Sequence, residues 1–392
     1  MILNQPEKQR KKIALVANSA WSLYNFRMDL IRHLLIRFDV LIIAPSDEFT
    51  VELTKAGCSF LNIRFNNRSE NPLLDYGLYQ ALKKIYQTVQ PDFIFHYVIK
   101  PNIYGSMAAA KTGIQSVAVV TGLGYTFDRR NWLNRVVSFL YRRAFKKAQE
   151  VWFLNEEDAN LFIEKKLVGA GKIKILPGEG INTAHFFPQA HRPVARTKAF
   201  QFLMGTRLLK SKGVGVYVDA ARILKNKYRD IRFELIGFFE KHHPDSISES
   251  ELKYWQKKGV IHYGGFAKDV RPFLRQADCF VFPSFYHEGI PRCLLEAAAM
   301  EIPIITSLIT GCKEVVREGE NGFLCAPNQV RDLVNRMEEM MALPAVRRTE
   351  MGKNGRALVT EKFGIERILA EYDKTLQVLE DPETTSIKNQ VF

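Results

Sequence analysis

Five of the 392 residues are cysteines (Cys58, Cys279, Cys293, Cys312 and Cys325), and no two of them form a C-x-x-C pair. An odd, widely spaced set argues against a disulfide scaffold and against a structural zinc site. Cys279, in the run ADCFVFPS, reads as a buried strand residue, and reduced, mostly structural thiols are expected. The eight histidines show no metal-ligand spacing. His96, in FIFHYVIK, reads as a satisfied strand-end residue, and His242 and His243 lie in a polar stretch. No apolar run approaches the roughly 18–20 residues of a membrane-spanning helix, so none is expected. The start, MILNQPEKQRKKIALVANS, sets its charges before a run too short for a secretory signal. The loop after the first strand-like run, NSAWSLYNFR, lacks G-x-G-x-x-G, and there is no P-loop. Acidic residues are the scarcer charge, 42 against 56 lysines and arginines, for a net charge of +14. Such a balance suits nucleic acid, an anionic membrane surface or a phosphate-rich substrate. No RNA-binding motif with aromatic platforms is present, so nucleic acid is not expected as a partner.

The length suits two or three domains, and 46% hydrophobic residues is ordinary for a globular chain. Disorder is expected only at residues 4–12 and after Asp381. The basic residues cluster. Between residues 126 and 150, Arg129, Arg130, Arg135, Arg142, Arg143, Lys146 and Lys147 stand against Asp128 and Glu150. Bulky apolar residues lie among them, and Val136, Leu140 and Ala144 share a helical face. A helix over 131–148 of this kind lies in a bilayer interface, or it is a core helix with a charged outer face.

Short apolar runs alternate with helical patterns along the chain. Strands are expected at 12–17, 40–45, 92–97, 116–121, 151–154 and 173–176, with helices at 26–38, 72–89, 103–112, 131–148 and 156–167. Residues 181–197, with Pro188 and Pro193, break the rhythm and read as a linker. Strands then recur at 200–205, 232–236, 261–263, 279–283, 302–306 and 322–325, with helices between them and one at 291–300. This is the pattern of covered parallel sheets. The fold class is therefore α/β, with two Rossmann-like units in which ligands sit outside the carboxyl ends of the strands. The expected domains are residues 1–190 and 191–364, with a final amphipathic helix at 365–380.

The densest chemistry lies between Ser284 and Cys325. Glu288 and Glu296 are eight positions apart, and Gly289, Ile290 and Pro291 open a helix between them. Proline is favoured in a first helical turn. Ile290 offers no capping oxygen, which leaves free N–H groups and a positive dipole end for a phosphate. Glu288 lies ahead of the helix and Glu296 inside it, so they reach different parts of an elongated ligand. A glutamate accepts two hydroxyl hydrogens from a vicinal diol. The plainer alternative makes Glu296 a surface helix residue and Glu288 a loop charge. Its neighbours in LLEAAA weigh against a solvent-facing Glu296.

Arg207 and Lys212 follow the strand FQFLMG in GTRLLKSKG. An arginine fork and a compact ammonium suit diphosphate oxygens; a solvated basic loop is the alternative. Gly311 opens another helix start, which either offers N–H groups to a ligand or is a plain turn. In the first half, Gly122 and Gly124 follow a strand, and Asn25, Arg27, Lys100, Asn102, Arg129 and Arg130 are candidates for a facing wall. Arg129 and Arg130 meet an anionic acceptor or are simply solvated.

The set GTRLLKSKG, YGG, ADCFVFPSFYHEGIPRCLLEAAA, GCKEVV and NGFL resembles the donor-site signature of the GT4 family of retaining glycosyltransferases, with its E-x7-E pattern. The resemblance covers almost all of the chain. It implies the GT-B fold, two Rossmann-like domains facing a cleft, with residues 365–380 crossing back to the first domain. It implies that Arg207 and Lys212 bind the donor diphosphate, that Glu288 contacts the donor sugar and that Glu296 binds the ribose. Gly289, Ile290, Pro291, Arg292 and Leu295 would give backbone or packing contacts, and Gly311 would lie near the donor. Asn182 stands where the family often has aspartate at the hinge.

The stretches FNNRSENPLLD, YVIKPNIYGSMAAAK and TGLGYTF resemble a bacterial subgroup that extends undecaprenyl-diphosphate-linked sugars with UDP-linked hexoses, GalNAc and galactose among them. A lipid acceptor would give the basic helix its purpose, at the cytoplasmic face of the inner membrane. Two departures stand out. Leu123 replaces a histidine common in the family, and Glu301 replaces a glycine usual after the glutamate helix. The expected reaction is retaining transfer from UDP-sugar to a polyprenyl-diphosphate-linked saccharide. No bound cofactor is expected. With no D-x-D among the motifs, no metal is expected either. The alternatives are a soluble or protein acceptor, a phosphorylase or epimerase on the same scaffold, and a non-catalytic membrane or RNA-binding protein.

Overall fold

The computed structural model describes residues 10–64, 72–123, 132–188, 199–240 and 243–380. The chain forms two compact units: Met1–Glu179 with Glu366–Phe392, and Gly180–Ile365. Among the described residues each unit is built on a parallel sheet with helical crossovers, the α/β class expected.

In the first unit the strands are β1 (Lys12–Val16), β2 (Asp39–Ala44), β3 (Ser59–Asn62), β4 (Phe93–Tyr97), β5 (Gln115–Val120), β6 (Glu150–Phe153) and β7 (Ile173–Ile175). They lie in the order β3-β2-β1-β4-β5-β6-β7, and the register sets Val16 beside both Ile43 and His96. The FIFHY of β4 is buried throughout, as a strand covered on both faces requires. Helix Ala20–Arg37 starts before the expected residue 26, because Ser19 caps it by accepting from Ser22 N at 3.2 Å. The expected helix at 103–112 is a π-helical turn, Pro101–Gly105, running into an α-helix, Ser106–Thr112.

The returning helix Ile365–Glu380 contributes Tyr372 to this unit's core. Its ring lies 4.8 Å from those of both Phe95 and Trp152, and its hydroxyl meets that of Tyr97 at 3.0 Å. Arg27 stacks 3.9 Å over the Tyr97 ring and donates to Glu179 at 2.5 Å, so it is tied into the packing.

The basic helix spans Trp132–Phe145. It buries Tyr141, Ala144 and Phe145, with Tyr141 5.2 Å from the Phe162 ring. Val136 does not share that buried stripe as its spacing implied; it is 42% exposed and Phe139 58% exposed. Arg135, Arg142, Arg143, Lys146 and Lys147 are exposed around them. Arg129 and Arg130, expected on the acceptor side, lie outside the described residues. No helix among the described residues is long and apolar enough to cross a membrane.

The second unit holds β8 (Phe200–Gly205), β9 (Ile231–Ile236), β10 (His262–Tyr263), β11 (Cys279–Phe282), β12 (Ile304–Ser307) and β13 (Gly322–Cys325), ordered β10-β9-β8-β11-β12-β13. Strand order reverses between β8 and β11, the point where a crevice opens at the carboxyl ends of such a sheet. Helix Ala345–Phe363 has no counterpart in the sequence reading. Its buried residues include Gly352 and Gly355 among Met351, Leu358, Val359 and Phe363, too few large apolar residues to give a helical period. Gly352 lets it approach closely, since a Cβ there would fall 2.1 Å from Glu301 O.

Glu301 itself explains one departure. It takes φ +58° just past helix Arg292–Ala299, a left-handed conformation that disfavours a side chain. The chain turns there in a tight helix end, where the family's usual glycine would sit without strain. Glu301→Gly is expected to stabilise this unit by about 1 kcal/mol, read as a higher unfolding midpoint.

His96 is fully buried, with Nε2 2.9 Å from Tyr86 Oη, and burial pushes its pKa down to about 3. An unfolded chain takes up this proton near the ordinary pKa of 6.5, whereas the folded chain resists it down to about 3. The stability this site contributes is thus complete above pH 6.5 and is lost as pH falls toward 3, at about 1.4 kcal/mol per pH unit. In equilibrium unfolding, the stability gap between the wild type and His96→Asn should shrink as pH falls through that window.

Candidate active site

Three loops at the carboxyl edge of the second sheet hold the sequence candidates. The loop after β8 carries Arg207 and Lys212, the loop after β11 carries Glu288 through Pro291, and the loop after β12 ends at Gly311. The first two flank the reversal of strand order, and a strand-to-helix loop on each side has no choice but to open there.

Lys212 closes a short 3-10 turn, Lys210–Lys212. Its side chain is only 8% exposed, and Nζ lies 2.5 Å from Glu288 Oε1. Ser284, fully buried, donates to the same oxygen at 2.7 Å. Phe285 N donates to Ser211 O at 2.9 Å, which stitches the two loops together beneath the ion pair. The Tyr286 ring stands 4.5 Å from Nζ, within cation–π range. Lys212 and Glu288 are therefore a buried, oriented pair, and the solvated-loop alternative for Lys212 does not hold.

Helix Arg292–Ala299 begins one residue later than expected. Pro291 has ψ 117° and sits at the cap, where no side chain bonds the helix start. Leu294 N and Leu295 N instead reach back to Pro291 O, at 3.1 and 3.4 Å. Gly289, Ile290, Pro291 and Leu295 are buried, so Ile290 and Leu295 act through packing. Glu296 is half-buried one turn in, and accepts from Arg292 Nε at 3.0 Å. Burial pushes the Glu296 carboxyl pKa up and Asp269 adds to this, while the Arg292 guanidinium opposes the rise. Glu296 is not a solvated surface carboxylate.

Gly311, at φ +80°, has no room for a side chain; a Cβ would lie 1.6 Å from Gly289 O. It shapes the Glu288–Gly289 loop by contact. Arg207 Nη1 donates to Glu240 Oε2 at 3.0 Å. Ser284, Glu240 and Asp269 were not singled out from the sequence, and only Ser284, four residues before Glu288, had a local signal.

In the first unit, Lys100 and Asn102 stand at the carboxyl end of β4. Lys100 Nζ lies 2.6 Å from Asp75 Oδ1, and Tyr104 Oη donates to Asp75 Oδ2 at 2.9 Å. Asn102 Nδ2 donates to Val119 O at 2.9 Å, while its buried Oδ1 has no hydrogen-bond partner among the described residues. Val98 just before them has φ +65°, a strained conformation for a β-branched residue. No group of three or more His, Cys, Asp or Glu side chains among the described residues is placed to hold a metal ion.

The edge of the second unit thus offers cations beside carboxylates, suited to an elongated ligand with phosphate at one end and hydroxyls at the other. Comparison with known proteins identifies a family. Residues 188–358 match the family model for glycosyl transferases group 1, and residues 12–155 match that for glycosyl transferase 4-like proteins. The chain is 30% identical over 384 residues to the Campylobacter jejuni N,N'-diacetylbacillosaminyl-diphospho-undecaprenol alpha-1,3-N-acetylgalactosaminyltransferase, covering 93% of this chain and 99% of that protein. It is 27% identical over 304 residues to the Escherichia coli UDP-Gal:alpha-D-GlcNAc-diphosphoundecaprenol alpha-1,3-galactosyltransferase, covering 74% of this chain and 75% of that protein. Among solved structures, Anabaena Alr3699/HepE in complex with UDP and glucose superposes with a TM-score of 0.75 at 19% identity, over 94% of this chain and 100% of that one. The latter likeness carries the fold.

Gly311→Ala is expected to push back the Gly289 carbonyl and shift Glu288. A displacement of about 1 Å costs on the order of a hundredfold in turnover, so the variant should keep its circular dichroism spectrum and lose about that factor in a steady-state assay.

Proposed function

The chain belongs to the group 1, GT4-type glycosyltransferases, and we propose that it moves a hexose or N-acetylhexosamine from a UDP-sugar to an undecaprenyl-diphosphate-linked saccharide. GalNAc and galactose are the favoured sugars, because the two relatives named above transfer these to diphospho-undecaprenol-linked acceptors. The observation that carries the reading is the Lys212–Glu288 pair at the strand-order reversal, 2.5 Å apart and largely buried. It sets a cation for phosphate next to an acceptor for sugar hydroxyls.

In this reading Arg207 and Lys212 take the diphosphate, Glu288 the sugar hydroxyls and Glu296 the ribose diol. Gly289, Ile290, Pro291, Arg292, Leu295 and Gly311 shape the donor pocket. The bond from the anomeric carbon to the β-phosphate oxygen breaks as the acceptor hydroxyl bonds to that carbon on the same face. The hydroxyl proton passes to the departing phosphate oxygen. Arg207 and Lys212 stabilise the charge growing on UDP. Neither Glu288 nor Glu296 is a nucleophile, unlike the paired carboxylates of a glycoside hydrolase.

The first domain, residues 1–190, takes the acceptor, with Lys100, Asn102, Arg129 and Arg130 on that side. Helix Trp132–Phe145 meets the anionic inner membrane surface from the cytoplasm. Its exposed Phe139 and Val136 among Arg135, Arg142 and Arg143 support this. Residues 191–364 take the donor.

The test offers UDP-GalNAc, UDP-Gal, UDP-GlcNAc and UDP-Glc with and without a lipid-diphosphate disaccharide, reading UDP release and product mass. Acceptor-dependent release with one donor is expected, falling by at least about a hundredfold in Glu288→Ala. Equal transfer to a water-soluble sugar without the lipid diphosphate would favour a soluble acceptor. No release with any of the four would overturn the donor assignment.

A further inference from the structure

The cations at the carboxyl edge of the second sheet rest on carboxylates: Lys212 on Glu288 at 2.5 Å, Arg292 on Glu296 at 3.0 Å and Arg207 on Glu240 at 3.0 Å. Glu288 and Glu296 have places in the donor site. Glu240, four residues past the end of β9, has none.

Its position is built in. The chain after β9 is laced to the loop after β8 along the whole length of that loop. Thr206 N donates to Ile236 O at 3.1 Å, Leu208 N to Phe238 O at 3.0 Å and Lys210 N to Asp245 O at 2.8 Å. Ile247 N donates back to Leu208 O at 2.9 Å, and Ser211 N donates to the Asp245 side chain at 2.8 Å. These bonds hold the backbone on both sides of Arg207 and on both sides of Glu240. The two side chains are thereby kept within reach of each other.

The Arg207–Glu240 pair differs from the Lys212–Glu288 pair in exposure. Its side chains are 36% and 29% exposed, against 8% and 10%. A half-exposed pair is worth about 0–1 kcal/mol. A diphosphate brings more than one charge and accepts the guanidinium fork bidentately. Arg207 can therefore change partners at little cost, while Lys212 is anchored.

We propose that Glu240 is a positioning residue that occupies Arg207 in place of the donor's diphosphate. It holds the guanidinium ready while the site is empty and competes for it when UDP-sugar or UDP is bound. The inference rests on the reading of Arg207 as a diphosphate ligand. Its consequence is a deliberately moderate hold on the nucleotide. The Glu240 carboxylate recaptures Arg207 and speeds the departure of UDP; product release limits turnover in many enzymes.

The test is isothermal titration of the full chain with UDP, UMP and uridine, using the wild type, Glu240→Gln, Glu240→Asp, Arg207→Ala and the Arg207→Ala/Glu240→Gln double variant. Glutamine keeps the shape and a hydrogen-bond acceptor but removes the charge. Glu240→Gln is expected to tighten UDP about three- to tenfold, to leave uridine unchanged and to act on UMP less than on UDP. Glu240→Asp should stay near the wild type, and the glutamine effect should vanish in the Arg207→Ala background. In turnover, Glu240→Gln should lower the donor KM and kcat together. Unchanged or weaker UDP binding in Glu240→Gln overturns the inference, as does an equal gain in the absence of Arg207. Failure of the underlying reading looks different: a wild type that does not bind UDP, or an Arg207→Ala variant that binds it as well as the wild type, removes the donor assignment and this inference with it.

Discussion

A buried lysine beside a buried glutamate is stable only as a pair, and the architecture at the carboxyl edge of the second sheet depends on that fact. Lys212 and Glu288 come from loops on opposite sides of the strand-order reversal, 76 residues apart in the chain, yet Nζ and Oε1 meet at 2.5 Å. Removing either partner would leave an uncompensated charge in a poorly solvated corner, a cost of about 3–5 kcal/mol. The loops are accordingly locked together around them, through Ser284, the Phe285–Ser211 backbone bond and the close approach of Gly311 to Gly289. Electrostatic need thus sets the loop geometry at the carboxyl edge of the second sheet.

The first unit is organised by aromatic packing. Phe95, Trp152 and Tyr372 form one contact group, and the chain's last described helix is held to this sheet through it. A rigid sheet of this kind tolerates local strain at its carboxyl edge, where Val98, the π-helical turn and Asn102 Oδ1, unpartnered among the described residues, gather. Such features concentrate at ligand sites. Among the described side chains of the basic helix, Val136 and Phe139 are exposed beside cations, a combination that a bilayer interface would satisfy.

Family membership and site geometry constrain each other. The group 1 match spans the second unit, and the arrangement there explains why its motif residues need their spacing. Glu288 must precede the helix to reach Lys212, and Glu296 must lie one turn inside it to be reached by Arg292. A cation left to a single fixed carboxylate, as Lys212 is, provides a permanent feature of the site. A cation on a half-exposed carboxylate, as Arg207 is, provides an adjustable one.

Much of this was legible in the residues themselves. Alternating apolar runs determined the α/β class, because strands covered on both faces and helices covered on one leave different periods. The E-x7-E segment drew attention to a place where the structure does bring Lys212 onto Glu288 and Arg292 onto Glu296. What escaped the sequence was decided at longer range. The helix Ala345–Phe363 packs through glycines that carry no hydropathy signal. Helix Ala20–Arg37 starts early through a serine cap hidden in an apparent loop. Val136 is exposed although its spacing put it on one helical face with Ala144, which is buried. Glu240 and Ser284 acquire their meaning only from side chains that folding brings beside them. Local order is a matter of propensity and periodicity, which a sequence displays. Which charge meets which, and how deeply each is buried, depends on the crossing of distant loops, and only the tertiary structure decides that.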